Sequence, residues 1–159
     1  MKDFLVFGAP DIGNHEIEEV VDSLKSGWLG TGHKVKFFED SFKNYKKCSY
    51  AIAVNSCTAA LHLSLSSIGL KKGDEVITTP LTFCSTINSI IHAGGIPVLA
   101  DIDFETMNIS PEKIEEKISK NTKCILPVHF AGRACDMDSI LEIVKINQLS
   151  LIEDCAHAI

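Results

Sequence analysis

The spacing of apolar positions divides the chain into two kinds of segment. Between Asn14 and Ser26, the residues Ile17, Val20, Val21 and Leu24 recur at the i, i+3, i+4, i+7 spacing of an amphipathic helix, and Gly27 supplies its stop. A second helix is predicted over His33–Lys46, with Phe37, Phe38, Phe42 and Tyr45 read as core residues. From there short apolar runs alternate with helical patterns. Strands are expected over Tyr50–Val54, Glu75–Thr79, Ile96–Ala100, Cys124–Val128 and Leu149–Asp154. Helices are expected over Ala59–Ile68, with Leu61, Leu65 and Ile68 on one face, and within Thr82–His92. Two more begin at caps: Ser110, followed by Pro111 at the favoured first position with Ile114 and Ile118 on one face, and Asp136, leading through Val144. Residues 1–13 read as an extended lead-in ending in Pro10-Asp11-Ile12-Gly13.

Strands alternating with helices imply crossover connections, and therefore a three-layer α/β fold with a mainly parallel sheet and helices on both faces. There is no internal repeat or low-complexity tract. The predicted organisation is one α/β domain over residues 1–159, with a helical and loop segment over 1–48 and β/α units over 49–159.

Composition narrows the function classes. The 21 acidic against 15 basic residues give a net charge of −6, and Arg133 is the sole arginine, which argues against bulk phosphate neutralisation and so against nucleic-acid binding. No apolar run approaches the roughly 20 residues needed to span a bilayer, so no membrane role is expected. Met1-Lys2-Asp3-Phe4 lacks a signal-peptide pattern, which makes the cytoplasm the expected compartment. The 6 cysteines form no Cys-x-x-Cys pair and mostly follow or interrupt apolar runs, as reduced thiols do.

Candidate chemistry collects at the carboxyl ends of the predicted strands, where open parallel sheets bind ligands. Those ends deliver Asn55-Ser56-Cys57-Thr58, Thr82-Phe83, Asp101, His129, and then Asp154 and His157 at the exit of the apolar run that starts at Leu151. The opposite edge is rich in lysine. Two readings fit the strand-to-helix passage Asn55–Ala60: an anion site made of free amides at a helix N-terminus, or an ordinary cap by Ser56 or Thr58. A helix N-terminus also lowers a thiol pKa, so Cys57 is a candidate nucleophile. Two readings also fit Gly27-Trp28-Leu29-Gly30-Thr31-Gly32, namely a backbone that approaches a ligand closely or a helix connection that packs its indole.

Taken together, Gly27–Gly32, Asn55–His62, Thr82–Thr86, Pro97–Asp101, Val128–Gly132 and Ile152–Ala158 resemble the DegT/DnrJ/EryC1/StrS family, in order along essentially the whole chain. These are pyridoxal-phosphate-dependent aminotransferases of nucleotide-linked sugars with the aspartate-aminotransferase fold. The resemblance implies that Thr58 and the Ala59 amide hold the cofactor phosphate, Phe83 stacks on the pyridine ring, Asp154 pairs with the ring nitrogen, and His157 lies near the ring hydroxyl. Gly30 and Thr31 would approach the sugar. Cys57 departs from the family pattern, where many relatives have glycine. The resemblance also implies a nucleotide-sugar substrate, an amino-acid amino donor, a homodimer and a place in cell-surface polysaccharide or amino-sugar biosynthesis.

In that family the lysine that forms the Schiff base lies shortly beyond the segment corresponding to Asp154 and His157, and no lysine here matches it. The expectation is an N-terminal part of such an enzyme, incomplete and inactive alone, with no catalytic residue in these 159 residues. In the implied topology Ala51–Val54 is left without its neighbouring strand, so association or rearrangement is expected. Two alternatives remain: a non-catalytic module that binds pyridoxal phosphate or another ligand, and a metal-dependent hydrolase using His129, Asp154 and His157. No metal is assigned in the main reading.

Overall fold

A computed structural model describes residues 8–159. The first seven positions of the predicted lead-in lie outside the described residues, and Gly8–Gly13 form neither helix nor strand. The chain divides into one unit up to Ala53 and another from Val54 to Ile159.

The first unit holds α1 (Asn14–Ser26) and α2 (His33–Lys46), with the predicted bounds. At the start of α1 the Glu16 carboxylate accepts the Gly13 N–H at 2.7 Å, satisfying one orphan donor, and Gly27 ends the helix at φ 73°. Lys34 of α2 reaches Glu19 at 2.7 Å and Asp22 at 2.9 Å on α1. One expectation is corrected here. Phe37, Phe38, Phe42 and Tyr45 are not core residues: neither helix buries any residue, and Phe37 is 76% exposed. A helical stripe records an apolar face, but only a second surface can bury it.

A second correction concerns Tyr50–Val54. No strand forms there, and Tyr50 and Ile52 are 86% and 81% exposed. The run has strand-like composition but pairs with no described strand. Within the first unit, the Ala53 N–H is taken by the Glu39 carboxylate at 2.9 Å.

The second unit contains α3 (Cys57–Ser67), β1 (Glu75–Thr78), α4 (Cys84–His92), β2 (Ile96–Leu99), α5 (Pro111–Glu115), β3 (Thr122–Leu126), α6 (Met137–Asn147) and β4 (Ser150–Leu151). The strands form one parallel sheet in the order β2-β1-β3-β4. Period-2 alternation sends successive side chains to opposite faces. Val76, Cys124 and Leu126 pack with Leu61, Leu65 and Ile90 from α3 and α4. Ile77 and Ile125 pack with Ile114, Ile140 and Ile143 from α5 and α6. Two apolar clusters on one sheet are the expected three-layer arrangement.

On the edge strand β2, the amides of Ile96 and, just past its end, Ala100 donate to Asp74 and Thr78 on the β1 side. Pro97, one position on from Ile96, therefore stands where an amide would point away from the sheet, the one place a strand tolerates proline. On the other side β4 has only two residues in regular pairing. Its hydrogen bonding runs on, with Ile152 donating to Ile125 and Asp154 donating to Pro127, so the chain stays against β3 as far as Asp154. Cys48, Cys57, Cys84, Cys124 and Cys135 are free thiols, and burial pushes Cys124 up to about 12 and Cys135 to about 11. Among the described residues no helix is long and apolar enough to cross a membrane.

Candidate functional site

The candidate site extends outward from Asp154. The pairing of its segment with β3 carries it to the carboxyl end of the sheet, where its side chain is 4% exposed. Besides the backbone bond from its own N–H to Pro127, its carboxylate and carbonyl accept from four donors. Oδ2 accepts the Thr86 hydroxyl at 2.8 Å, and Oδ1 accepts the Ala156 N–H at 3.1 Å. The Cys57 thiol donates to Oδ1 at 3.7 Å, and the Asp154 carbonyl accepts the His129 N–H at 3.2 Å. Among the described residues no lysine, arginine or histidine forms an ion pair with Asp154. A buried carboxylate carries a desolvation cost that hydrogen bonds offset only in part, so an arrangement of neutral donors without a cation fits a cationic ligand atom.

Cys57 joins this carboxylate to the start of α3. Ser56 caps that helix, its Oγ accepting the Ala59 N–H at 3.1 Å, which is the structural alternative raised by the sequence. The Ala59 amide is thus engaged within the chain. The amides of Cys57 and Thr58 open the helix, where no intrahelical acceptor exists for them. The site therefore joins an anion-favouring helix end to a cation-favouring carboxylate through one residue. Partial desolvation, and then the nearby Asp154 charge, raise the Cys57 pKa. That direction is opposite to the lowering expected at a helix N-terminus and disfavours the thiolate a nucleophile needs.

Phe83 stands at the N-cap position of α4 in extended conformation and is 75% exposed, an apolar ring presented at a strand end. Thr58 and His157 are exposed as well. The turn that carries His157 is set by Gly132, whose φ is 85° and where an added Cβ would stand 2.8 Å from the His157 carbonyl oxygen.

His129 is 5% exposed and doubly held. Its Nδ1 accepts the Cys135 N–H at 3.1 Å, which leaves the ring proton on Nε2, 2.9 Å from Glu153 Oε2. The hydrolase alternative required His129, Asp154 and His157 as a ligand set. Among the described residues they do not gather; His129 groups instead with Glu153 and Cys155, whose ligand atoms lie within 4.8 Å. Asn108, also buried, fixes the loop after His129 by donating to the Arg133 and Ala134 carbonyls and accepting the Phe130 N–H.

Thr86, Glu153 and Asn108 play parts that sequence reasoning did not single out. For Thr86 a signal existed: Thr82 and Thr86 lie four apart at the opening of a helix that follows a strand, and their hydroxyls meet at 2.7 Å.

In the first unit, the loop Gly27–Gly32 folds around its own tryptophan. The Trp28 indole donates to the Thr31 carbonyl at 3.1 Å, and a Cβ on Gly32 would stand 2.3 Å from the indole nitrogen. The glycine is required by that packing. Trp28, Gly30 and Gly32 also line a cavity of about 150 Å³.

Comparison with known proteins gives a consistent set. Residues 10–159 match the DegT/DnrJ/EryC1/StrS aminotransferase family. The spore coat polysaccharide biosynthesis protein SpsC of Bacillus subtilis (strain 168) is 52% identical over 156 residues, 98% of this chain and 40% of that protein. The PMP-form structure of a sugar aminotransferase, Spr1654 from Streptococcus pneumoniae, superposes with a TM-score of 0.93 at 35% identity, covering 98% of this chain and 43% of that one. NtdA from Bacillus subtilis, solved with bound cofactor PMP, gives 0.88 at 38% identity over 93% of this chain and 35% of its own. The chain thus spans about two fifths of the length of the relatives it matches.

Proposed function

The chain belongs to the DegT/DnrJ/EryC1/StrS aminotransferase family, and from that premise we propose that it forms the cofactor-holding part of a pyridoxal-phosphate-dependent aminotransferase of nucleotide-linked keto sugars. The observation that carries this reading is the Asp154 carboxylate, buried among neutral donors at the carboxyl end of a parallel sheet. A protonated pyridine nitrogen is the cation such a group lacks. Bound there, pyridoxal phosphate supplies an electron sink for the carbanion formed at the substrate carbon.

Each residue then has a physical task. Asp154 holds the proton on the ring nitrogen. Thr58, with the opening amides of α3, binds the phosphate, helped by the positive end of the helix dipole. The Ala59 amide reaches a phosphate only by giving up Ser56. Phe83 covers one ring face and excludes water from it. His157 lies beside the ring hydroxyl, and Gly30 and Thr31 approach the sugar. The amino donor is an amino acid, the assembly a homodimer, and the compartment the cytoplasm. The relative SpsC, named for spore coat polysaccharide biosynthesis, supports a role in a surface polysaccharide.

These 159 residues hold no lysine matching the family's Schiff-base position, so by themselves they bind cofactor without turning over. Titration with pyridoxamine phosphate, followed by its fluorescence, tests the site. Asp154→Asn is expected to bind about 10- to 100-fold more weakly, as loss of a hydrogen bond to a charged group costs about 1.5–3 kcal/mol. Equal affinity for both proteins, or none for the wild type, would sink the reading. Clear turnover of a keto-sugar nucleotide with an amino donor would refute the inactivity of the chain alone.

A further inference from the structure

An ionised carboxylate offers about four lone-pair sites, two on each oxygen, to hydrogen-bond donors. In Asp154, Oδ1 accepts the Ala156 N–H and the Cys57 thiol, whereas among the described residues Oδ2 accepts the Thr86 hydroxyl alone. Oδ2 is therefore the less crowded oxygen. Thr86 is fully buried and has one proton, spent on Asp154, so in its 2.7 Å contact with Thr82 it must accept. The protons run one way, from Thr82 to Thr86 to Asp154. Aligned hydroxyls of this kind polarise one another, which strengthens the last bond of the series.

We propose that Thr86, itself oriented by Thr82, is the positioning residue for Asp154, holding Oδ2 so that its remaining lone pair is the one offered to the cofactor's ring N–H. This rests on the cofactor reading above. Thr86 touches the carboxylate and acts through it. Its hydroxyl keeps the carboxylate from rotating about the Cβ–Cγ bond, a rotation that would exchange the crowded oxygen for the less crowded one.

The test uses the 159-residue chain and two readouts. The Ala156 amide resonance reports the carboxylate orientation without any cofactor, because that N–H donates to Oδ1. Pyridoxamine phosphate labelled with 15N at the ring nitrogen reports both affinity and ring protonation. Thr86→Val is expected to move the Ala156 resonance, weaken binding about tenfold, as loss of one hydrogen bond to a charged group does, and shift the ring nitrogen toward its unprotonated position. Thr86→Ser should restore all three. Thr82→Val, at a half-buried position, should move them the same way by less, and serves if Thr86→Val does not fold. An unmoved Ala156 resonance with wild-type affinity in Thr86→Val, or no rescue by serine, overturns the proposal. Wild-type chain that fails to bind pyridoxamine phosphate overturns the cofactor reading instead, while the Ala156 resonance still decides whether Thr86 holds the carboxylate.

Discussion

Gly132 shows how a single residue sets the edge of the site. Its φ of 85° lies where a side chain is strained, and the His157 carbonyl occupies the space a Cβ would need. Gly132→Ala is expected to lower stability by about 1–3 kcal/mol, from backbone strain and displacement of the His157 turn. Urea denaturation measures this directly, and an unchanged midpoint would show that the turn can move aside freely. Asp154 was legible in the sequence because an apolar run that ends on a carboxylate breaks its own pattern. Its partners were not. Thr86 and Asn108 are common polar residues whose importance comes from burial, and burial is decided by contacts that span 68 residues in one case and up to 26 in the other. Cys57 was misleading for a related reason: local logic lowers its pKa, whereas burial, and then the carboxylate of Asp154 far along the chain, raise it.

At the scale of elements, most helices and strands were readable because local signals and tertiary demand agree. Proline at the first position of α5 and the buried apolar run of β3 are examples. Tyr50–Val54 has strand composition yet forms no ladder, in line with the expectation that Ala51–Val54 is left without its neighbouring strand. The aromatic face of α2 misled, its period visible and its covering surface not. The cap of α3 is the element most open to test. Ser56→Ala removes the bond to the Ala59 amide and should cost about 1 kcal/mol of stability, measured by denaturant titration. The same change frees that amide for a phosphate, so affinity for pyridoxamine phosphate should fall by less than the stability loss alone implies. Affinity that collapses with the helix intact would mean that the Ser56 hydroxyl contacts the phosphate itself.

Across the whole molecule, apolar exposure stands out. Ile17, Val20, Leu24, Phe37, Phe38 and Tyr50 are all more than half exposed, as is Ile52, in a chain whose 45% hydrophobic content is ordinary. Surfaces of this kind favour association. The chain is expected to self-associate at micromolar concentration, and Ile52→Lys to shift the equilibrium toward monomer by placing a charge on the unpaired run. Sedimentation velocity across a tenfold concentration range checks both, and a stable monomer for the unaltered chain would count against the expectation.

Pro97 gives that association a direction. By removing an outward-facing donor from β2, it makes that margin of the sheet a poor template, whereas the margin at β4 keeps its amides. The β2 margin thus offers one donor fewer to an incoming strand than a margin without proline. A strand arriving from elsewhere in a longer chain, or from a second molecule, would find hydrogen-bonding groups on the side that also carries Asp154, so completing the sheet and enclosing the site would be one event.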